Sequence, residues 1–424
     1  MLIHKGFAML LMLVWAAGTL ASDLPRANPE RVGVSKDRLQ RINQMAQAYV
    51  DKRQYAGVVT MVARDGKIIH SNAVGQFGFD NEKPLSEDTL FRIFSMTKPI
   101  TVVAALMLYE EGKFQMTDPV AKHLPEFLDQ KLYTEGGLIE PSSPMTMGQL
   151  FTHTAGLTYG FTPDNPVDLM YREDYPLEAQ DLTEFSTKLA KLPLRFEPGT
   201  RYHYSVATDL LGAAIERMSG VPLDRFFHER IFEPLDMEDT FFSVPEDKFH
   251  RLASSHVWDA ESGQVVPVPM DQRRDYRNVT LFSGGGGLVS TVNDYMRFCE
   301  MIRRQGSFNG ARLLGPKTVQ YMGLNHLSAK VRAEGVGEYP SDDFFPGQSK
   351  ALGFGVVTNP GLMPSTSSKG ELSWGGAAGT KFWIDPEEEI VGIAMVQLYR
   401  SPWPLRFDFK VATYQALTEL YDSD

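Results

Sequence analysis

The chain has 424 residues, and its 53 Asp and Glu outnumber 42 Lys and Arg, for a formal charge of −11. That balance disfavours nucleic acid and anionic membrane surfaces as partners. A composition of 43% hydrophobic and 22% charged residues excludes disorder and collagen-like repeats, and the length suffices for one large or two medium cores.

At the N-terminus, Lys5 precedes an apolar run from Phe7 to Ala17, and small residues follow at Thr19 and Ala21. The pattern predicts a secretory signal peptide over residues 1–21, cut after Ala21. Eleven helical residues reach only about 16 Å, short of the roughly 30 Å core of a bilayer, so no stable membrane insertion is expected. Export of a chain with a single cysteine, Cys299, fits a periplasmic or secreted location without disulfides. Cys299 sits among Tyr295, Met296, Phe298 and Met301 and is expected to be a small core hydrophobe. With no cysteine cluster and no HExxH pair, neither a metal nor a cofactor is expected.

Next along the chain, Ser35 can cap a helix whose Leu39, Ile42, Met45, Ala46 and Tyr49 share one face. A hairpin follows, with strands Gly57 to Ala63 and Lys67 to Ala73 joined by Asp65-Gly66, a dipeptide suited to positive φ. From about Glu87 to Gln348 the pattern is mostly helical, with long loops at Glu135 to Pro144 and Glu334 to Gln348. The C-terminal part returns to strands, Leu352 to Thr358, Lys381 to Ile384 and Ile390 to Leu398, with a turn at Asp385-Pro386-Glu387 and a closing helix from Phe407 to Leu420. The expected fold is α/β, one antiparallel sheet built from both chain ends and flanked by helices. It forms a single catalytic domain over 22–424, with a sheet lobe at about 30–86 and 349–424 and a helical lobe inserted at about 87–348. A cleft between lobes is where a ligand is expected.

Chemistry is most legible at Phe94-Ser95-Met96-Thr97-Lys98-Pro99, which opens an apolar helix from Ile100 to Tyr109. A serine and a lysine three residues on share one helical face, so the amine can reach the hydroxyl. The helix dipole favours a developing anion there, and Pro99 is tolerated because first-turn amides lack partners. A serine hydroxyl becomes a strong nucleophile once a neighbouring base takes its proton. Two further stretches stand out: Pro198 to Val206, ahead of a helix from Leu210 to Met218, and Ser373 to Thr380, ahead of the strand at Lys381.

With these segments in order, the chain resembles the serine β-lactamase superfamily, particularly class C β-lactamases and the family VIII carboxylesterases. The resemblance rests on Phe94 to Lys98, Leu150 to Leu157, the Tyr204 segment, Gly284 to Thr291 and Trp374-Gly375-Gly376. It implies that Ser95 is the nucleophile, Lys98 its partner, and Tyr204 the tyrosine of the family's Y-x-N element. A phenol of ordinary pKa near 10 beside an ammonium is stabilised as phenolate and can exchange a proton with Ser95, so either Lys98 or Tyr204 can be the first base. The resemblance also implies that the backbone amides of Ser95 and Ala377 form the oxyanion hole, with Trp374, Gly375 and Gly376 along the substrate.

The chain departs from β-lactamases twice. Trp374 stands where the K-T-G element has a cation for the lactam carboxylate, and Val206 stands where Y-x-N has an amide. Both replacements are read as apolar substrate-binding surface. The implied function is an exported serine hydrolase, a carboxylesterase acting on uncharged short-chain esters. Alternatives with the same site are a β-lactamase, a D,D-peptidase or D-aminopeptidase, or an acyltransferase, and a non-catalytic binding protein of the same fold is a third class. The partner is a small-molecule ester or amide. Other residues read blandly: His153 as a structural hydrogen-bonder, Gly284 to Gly287 as a tight turn, and Glu387 to Glu389 as a solvated hairpin tip. The absence of G-x-S-x-G excludes the nucleophile elbow of an α/β-hydrolase.

Overall fold

Ser35 caps helix α1 (Lys36–Asp51) by accepting a hydrogen bond from the Arg38 amide, and Leu39, Ile42, Ala46 and Tyr49 of that helix are buried. Described in this computed structural model are residues 24–268, 275–334 and 345–421, so the expected leader over 1–21 lies outside them. Strands β1 (Gly57–Arg64) and β2 (Lys67–Gly78) follow, joined through Asp65 and Gly66 at φ 53° and 69°, the paired left-handed conformation of a tight hairpin. A short β3 (Asn81–Pro84) extends the edge.

The remaining strands of the main sheet come from the other end of the chain: β4 (Gln348–Lys350), β5 (Gly355–Val357), β6 (Leu372–Gly375), β7 (Lys381–Asp385) and β8 (Ile390–Met395). The order is β4-β5-β6-β7-β8-β1-β2-β3, antiparallel throughout, with Val59 of β1 opposite Met395 of β8. Because β1 is buried along its whole length, its alternate residues serve two cores. Val62 packs with Leu39, Ile42 and Phe409 under α1 and a C-terminal helix (Leu405–Tyr414). Val59, Met61 and Ala63 face the opposite core, which holds the helices Thr97–Glu110, Ala207–Ser219 and Val292–Arg303. Every residue from Thr97 to Leu108 is buried, so that helix is anchored on all sides.

Several local expectations are corrected. The middle of the chain is mostly helical as expected, with two short hairpins added: Leu132–Thr134 pairs with Gly137–Ile139 and His256–Asp259 with Gln264–Pro267. Leu352 to Thr358 is not one strand, because Gly353 at φ 80° turns the chain between β4 and β5. Leu372–Gly375, the segment matched to the K-T-G element, is a strand. The last helix stops at Tyr414, where Ala416 and Leu417 leave it to pair with Ser35 and Val34.

The acidic tip also differs. Glu387 is exposed, but Glu388 is buried with its Oε2 2.7 Å from Nη2 of a fully buried Arg64, and Glu389 accepts from Arg303 at 3.0 Å. Both chain ends wrap this corner of the sheet, since Arg64 also donates to the carbonyls of Val32, Gly33 and Glu419. A tip that looks solvated in sequence is therefore the clasp for the termini.

Candidate active site

Ser95 sits in a single 3-10 turn (Phe94–Met96) leading directly into the helix Thr97–Glu110. The preceding Phe94 has φ 43°, a left-handed conformation that costs a non-glycine residue energy and is held by its surroundings. Lys98, one turn on, is 1% exposed and its Nζ lies 3.2 Å from Ser95 Oγ. Tyr204, just before the helix Ala207–Ser219, places its Oη 2.6 Å from the same Oγ. Three residues 109 positions apart in sequence thus meet at one hydroxyl, which is half-buried at the floor of a cavity of about 1030 Å³.

Lys98 has two other acceptors, the carbonyl of Gly285 at 2.6 Å and the Tyr159 hydroxyl at 3.0 Å. With Ser95 Oγ these match the three N–H bonds of an ammonium. Tyr159 in turn donates to Asp209 Oδ2 at 3.3 Å, and Asp209, wholly buried, also accepts from the Gly285 amide at 3.0 Å and from Ser283 Oγ. Lys98 and the buried Asp209 carboxyl group are therefore joined through one phenol and the backbone of one glycine, which provides polar partners for both without direct contact. Burial and the Asp209 charge push Tyr159 well above the ordinary phenol range, so it remains a donor.

Tyr159 and Asp209 were not singled out in the sequence. Tyr159 lies two residues past the Leu150 to Leu157 segment and Asp209 is an ordinary-looking acid in a first helical turn, so only their convergence marks them. The Gly284 to Gly287 turn also does more than turn. A Cβ on Gly285 would stand 2.2 Å from Asp209 Oδ2 and 2.8 Å from Tyr159 Oη, so only glycine admits this approach.

His153 is buried at the end of a short helix, and its Nδ1 lies 3.4 Å from both Ser205 Oγ and the Ser205 amide. Its carbonyl accepts from the His203 amide at 2.9 Å, and its ring tilts against Tyr204 with centroids 4.9 Å apart. Burial, then the nearby Lys350 and Lys98, push it well below the ordinary imidazole range. These contacts brace the Tyr204 segment.

Opposite Ser95, β6 runs beside the 3-10 turn and brings Trp374, Gly375, Gly376 and Ala377 to the cavity wall. A Cβ on Gly376 would lie 2.5 Å from the Ile93 carbonyl, which accounts for the glycine. Among the described residues, no hydrogen bond uses the amide N–H of Ser95 or of Ala377, leaving two donors for a ligand. The Trp374 ring stands 5.9 Å from that of Tyr204. Val206 is placed elsewhere: it is 0% exposed, packed in the core ahead of its helix, and is no part of the cavity lining, so its expected contact with substrate is corrected. Among the described residues, no group of three or more His, Cys, Asp or Glu side chains could hold a metal ion.

The family model described as Beta-lactamase matches residues 42–416. An uncharacterized protein of Mycobacterium tuberculosis is 33% identical over 353 residues, covering 81% of this chain and 86% of the relative. Esterase EstB of Burkholderia gladioli is 30% identical over 387 residues, covering 86% and 92%. Of solved structures, EstCE1, described as a hydrolase with promiscuous acyltransferase activity, superposes with a TM-score of 0.76 at 26% identity, covering 89% of this chain and 99% of its own.

Proposed function

Since the chain belongs to the Beta-lactamase family, we propose that it is a carboxylesterase that cleaves uncharged short-chain esters through an acyl-enzyme on Ser95. The observation that carries this reading is the Ser95 hydroxyl held between Lys98 and Tyr204 in a cavity also lined by Ala377, with the Ser95 and Ala377 amides unpaired among the described residues. With its three donors engaged, Lys98 acts as a fixed cation. Its Nζ lies 4.6 Å from the Tyr204 ring centre, where it offsets negative charge on the phenolate oxygen.

In the proposed reaction, Tyr204 begins as the phenolate, and its Oη takes the Ser95 proton as Oγ bonds to the ester carbonyl carbon. The carbonyl oxygen, now an anion, receives the Ser95 and Ala377 N–H groups, each such donor being worth roughly 3 kcal/mol of barrier. Collapse breaks the carbon–alkoxide bond, and Tyr204 returns the proton to the departing alcohol. Water then repeats the sequence on the acyl-enzyme with Tyr204 as base, releasing the acid and restoring Ser95.

Preference for an uncharged ester rests on Trp374 alone, now that Val206 lies in the core. The leader-like segment at 1–21 supports export to the periplasm or beyond. Acyl transfer to an alcohol other than water is a second reading, favoured by a cavity large enough to hold an acceptor beside the acyl group.

The test is turnover of p-nitrophenyl esters of graded length and of a chromogenic cephalosporin. Ester kcat/KM should exceed that for the lactam by roughly two decades or more, about 1.4 kcal/mol of transition-state binding per decade. Comparable efficiencies would overturn the substrate preference. Ester turnover surviving Ser95→Ala would overturn the acyl-enzyme.

A further inference from the structure

Lys350 is the last residue of β4, and β4 alternates: Ser349 turns one way to hold Asn325 at 2.6 Å, while Gln348 and Lys350 share the face that looks toward the cavity. Gln348 reaches that wall and donates to Ser373 Oγ at 3.3 Å. Lys350 does not reach it. Its side chain is 0% exposed, and among the described residues its Nζ has no hydrogen-bond partner. Instead the amine lies over the ring of Trp374, 3.9 Å from the centroid, and Trp374 is itself part of the cavity wall.

An amine in this position is costly to bury, because an indole face replaces only part of the hydration it has lost. Burial, and after it the like charge of Lys98, push the Lys350 amine well below its ordinary range. Among the described residues no carboxylate pairs with it, unlike Lys410, which pairs with Glu371 at 2.6 Å, or Arg64 with Glu388. The site is thus a buried amine without a hydrogen-bond partner among the described residues, separated from the cavity by the Trp374 side chain.

We propose that Lys350 is a masked anion-binding group, and that Trp374 sets substrate class by covering it. With the indole in place, the wall beside Gly375 presents carbon to the substrate and the amine contributes nothing to an anionic one. With the indole removed, the same wall presents an amine that can pair with a carboxylate on the substrate. The ligand class is a carboxylate carried on the acyl chain or the alcohol of an ester. This rests on the reading that Trp374 walls the substrate cavity of an esterase, and it goes beyond that reading in naming what the tryptophan hides.

The experiment compares p-nitrophenyl hydrogen adipate with p-nitrophenyl heptanoate, an uncharged ester of equal chain length, in the full chain. In Trp374→Ala the adipate-to-heptanoate ratio of kcat/KM should rise tenfold or more over the parent, and Trp374→Ala with Lys350→Met should return it to within about twofold of the parent. A rise equal for both esters, or one that survives Lys350→Met, overturns the proposal. Should Trp374→Ala not fold, Trp374→Leu gives the same comparison with a smaller opening. Lys350→Met alone keeps the stem and removes an unpaired amine, so its Tm should not fall; unfolding of that variant would show a hidden partner and equally overturn the proposal. The esterase reading fails separately, if heptanoate is not turned over. In that event, or in the Ser95→Ala background, calorimetric binding of the 4-nitroanilide of adipic acid must follow the same order, tighter in Trp374→Ala and lost with Lys350→Met.

Discussion

The phenol oxygen of Tyr204 stands 2.6 Å from Ser95 Oγ, nearer than the 3.2 Å of Lys98 Nζ. In the proposed reaction, distance and the full set of acceptors around Lys98 both favour Tyr204 as the group that moves the proton. Tyr204→Phe keeps the ring that packs on His153 and Trp374 but removes that oxygen. The expected result is a kcat lower by roughly 10²- to 10⁴-fold with KM changed little, read from steady-state ester hydrolysis. Equal losses in Tm would point instead to a packing role.

Gly285 offers a test of the buried network that leaves every functional side chain in place. In Gly285→Ala the new methyl must displace Asp209 or Tyr159, and with them the carbonyl that holds Lys98. Ester turnover should drop by at least about tenfold, the usual scale for a misplaced catalytic group. Gly136→Ala is the control: its Cβ would meet nothing nearer than 3.8 Å, and activity should be unchanged.

How much of this was open to reading depends on the range of the interaction. Ser95 and Lys98 are one helical turn apart, and the Asp65-Gly66 hairpin carries its turn chemistry locally, so both are visible in sequence. Tyr204 needed the family pattern. Tyr159, Asp209 and Lys350 acquire meaning only when distant segments converge, and nothing in their neighbours announces it. Glu388 misled for the same reason, since its partner Arg64 lies at the far end of β1. Val206 was misplaced because a position in a motif does not say which way a side chain points.

Stability should depend on two buried histidines. Burial lowers His70 to about 4, against a small opposing pull from Glu87, and burial with Arg195 lowers His203 to about 4. Because these values lie below the unfolded 6.5, the native state binds fewer protons, and the stability present above pH 6.5 is lost as pH falls toward 4. Asp294, pushed up to about 6 by burial, runs the other way, so the test is a difference between proteins. Urea unfolding at pH 7 and pH 5 should show a stability gap smaller by about 2 kcal/mol in His70→Gln than in the parent. An unchanged gap would show that His70 takes up its proton as readily in the folded state as in the unfolded one.

For localisation, if residues 1–21 act as the proposed leader, expression of the full chain in a Gram-negative host should give periplasmic protein with a new N-terminus near Ser22. Intact mass spectrometry reads this directly. Soluble cytoplasmic protein retaining Met1 would refute export.

The pairing of β1 with β8 has a bearing on how the chain is made. Val59 cannot meet Met395 until nearly all of the polypeptide has left the ribosome, and until then β1 offers an open, apolar edge to any other strand. During synthesis the sheet is therefore expected to form late and as one unit rather than as a set of independently folding pieces. The same delay keeps the centre of the sheet unformed through the window in which a translocation channel would have to thread it. Truncation anywhere before β8 should leave not a smaller enzyme but an aggregating fragment.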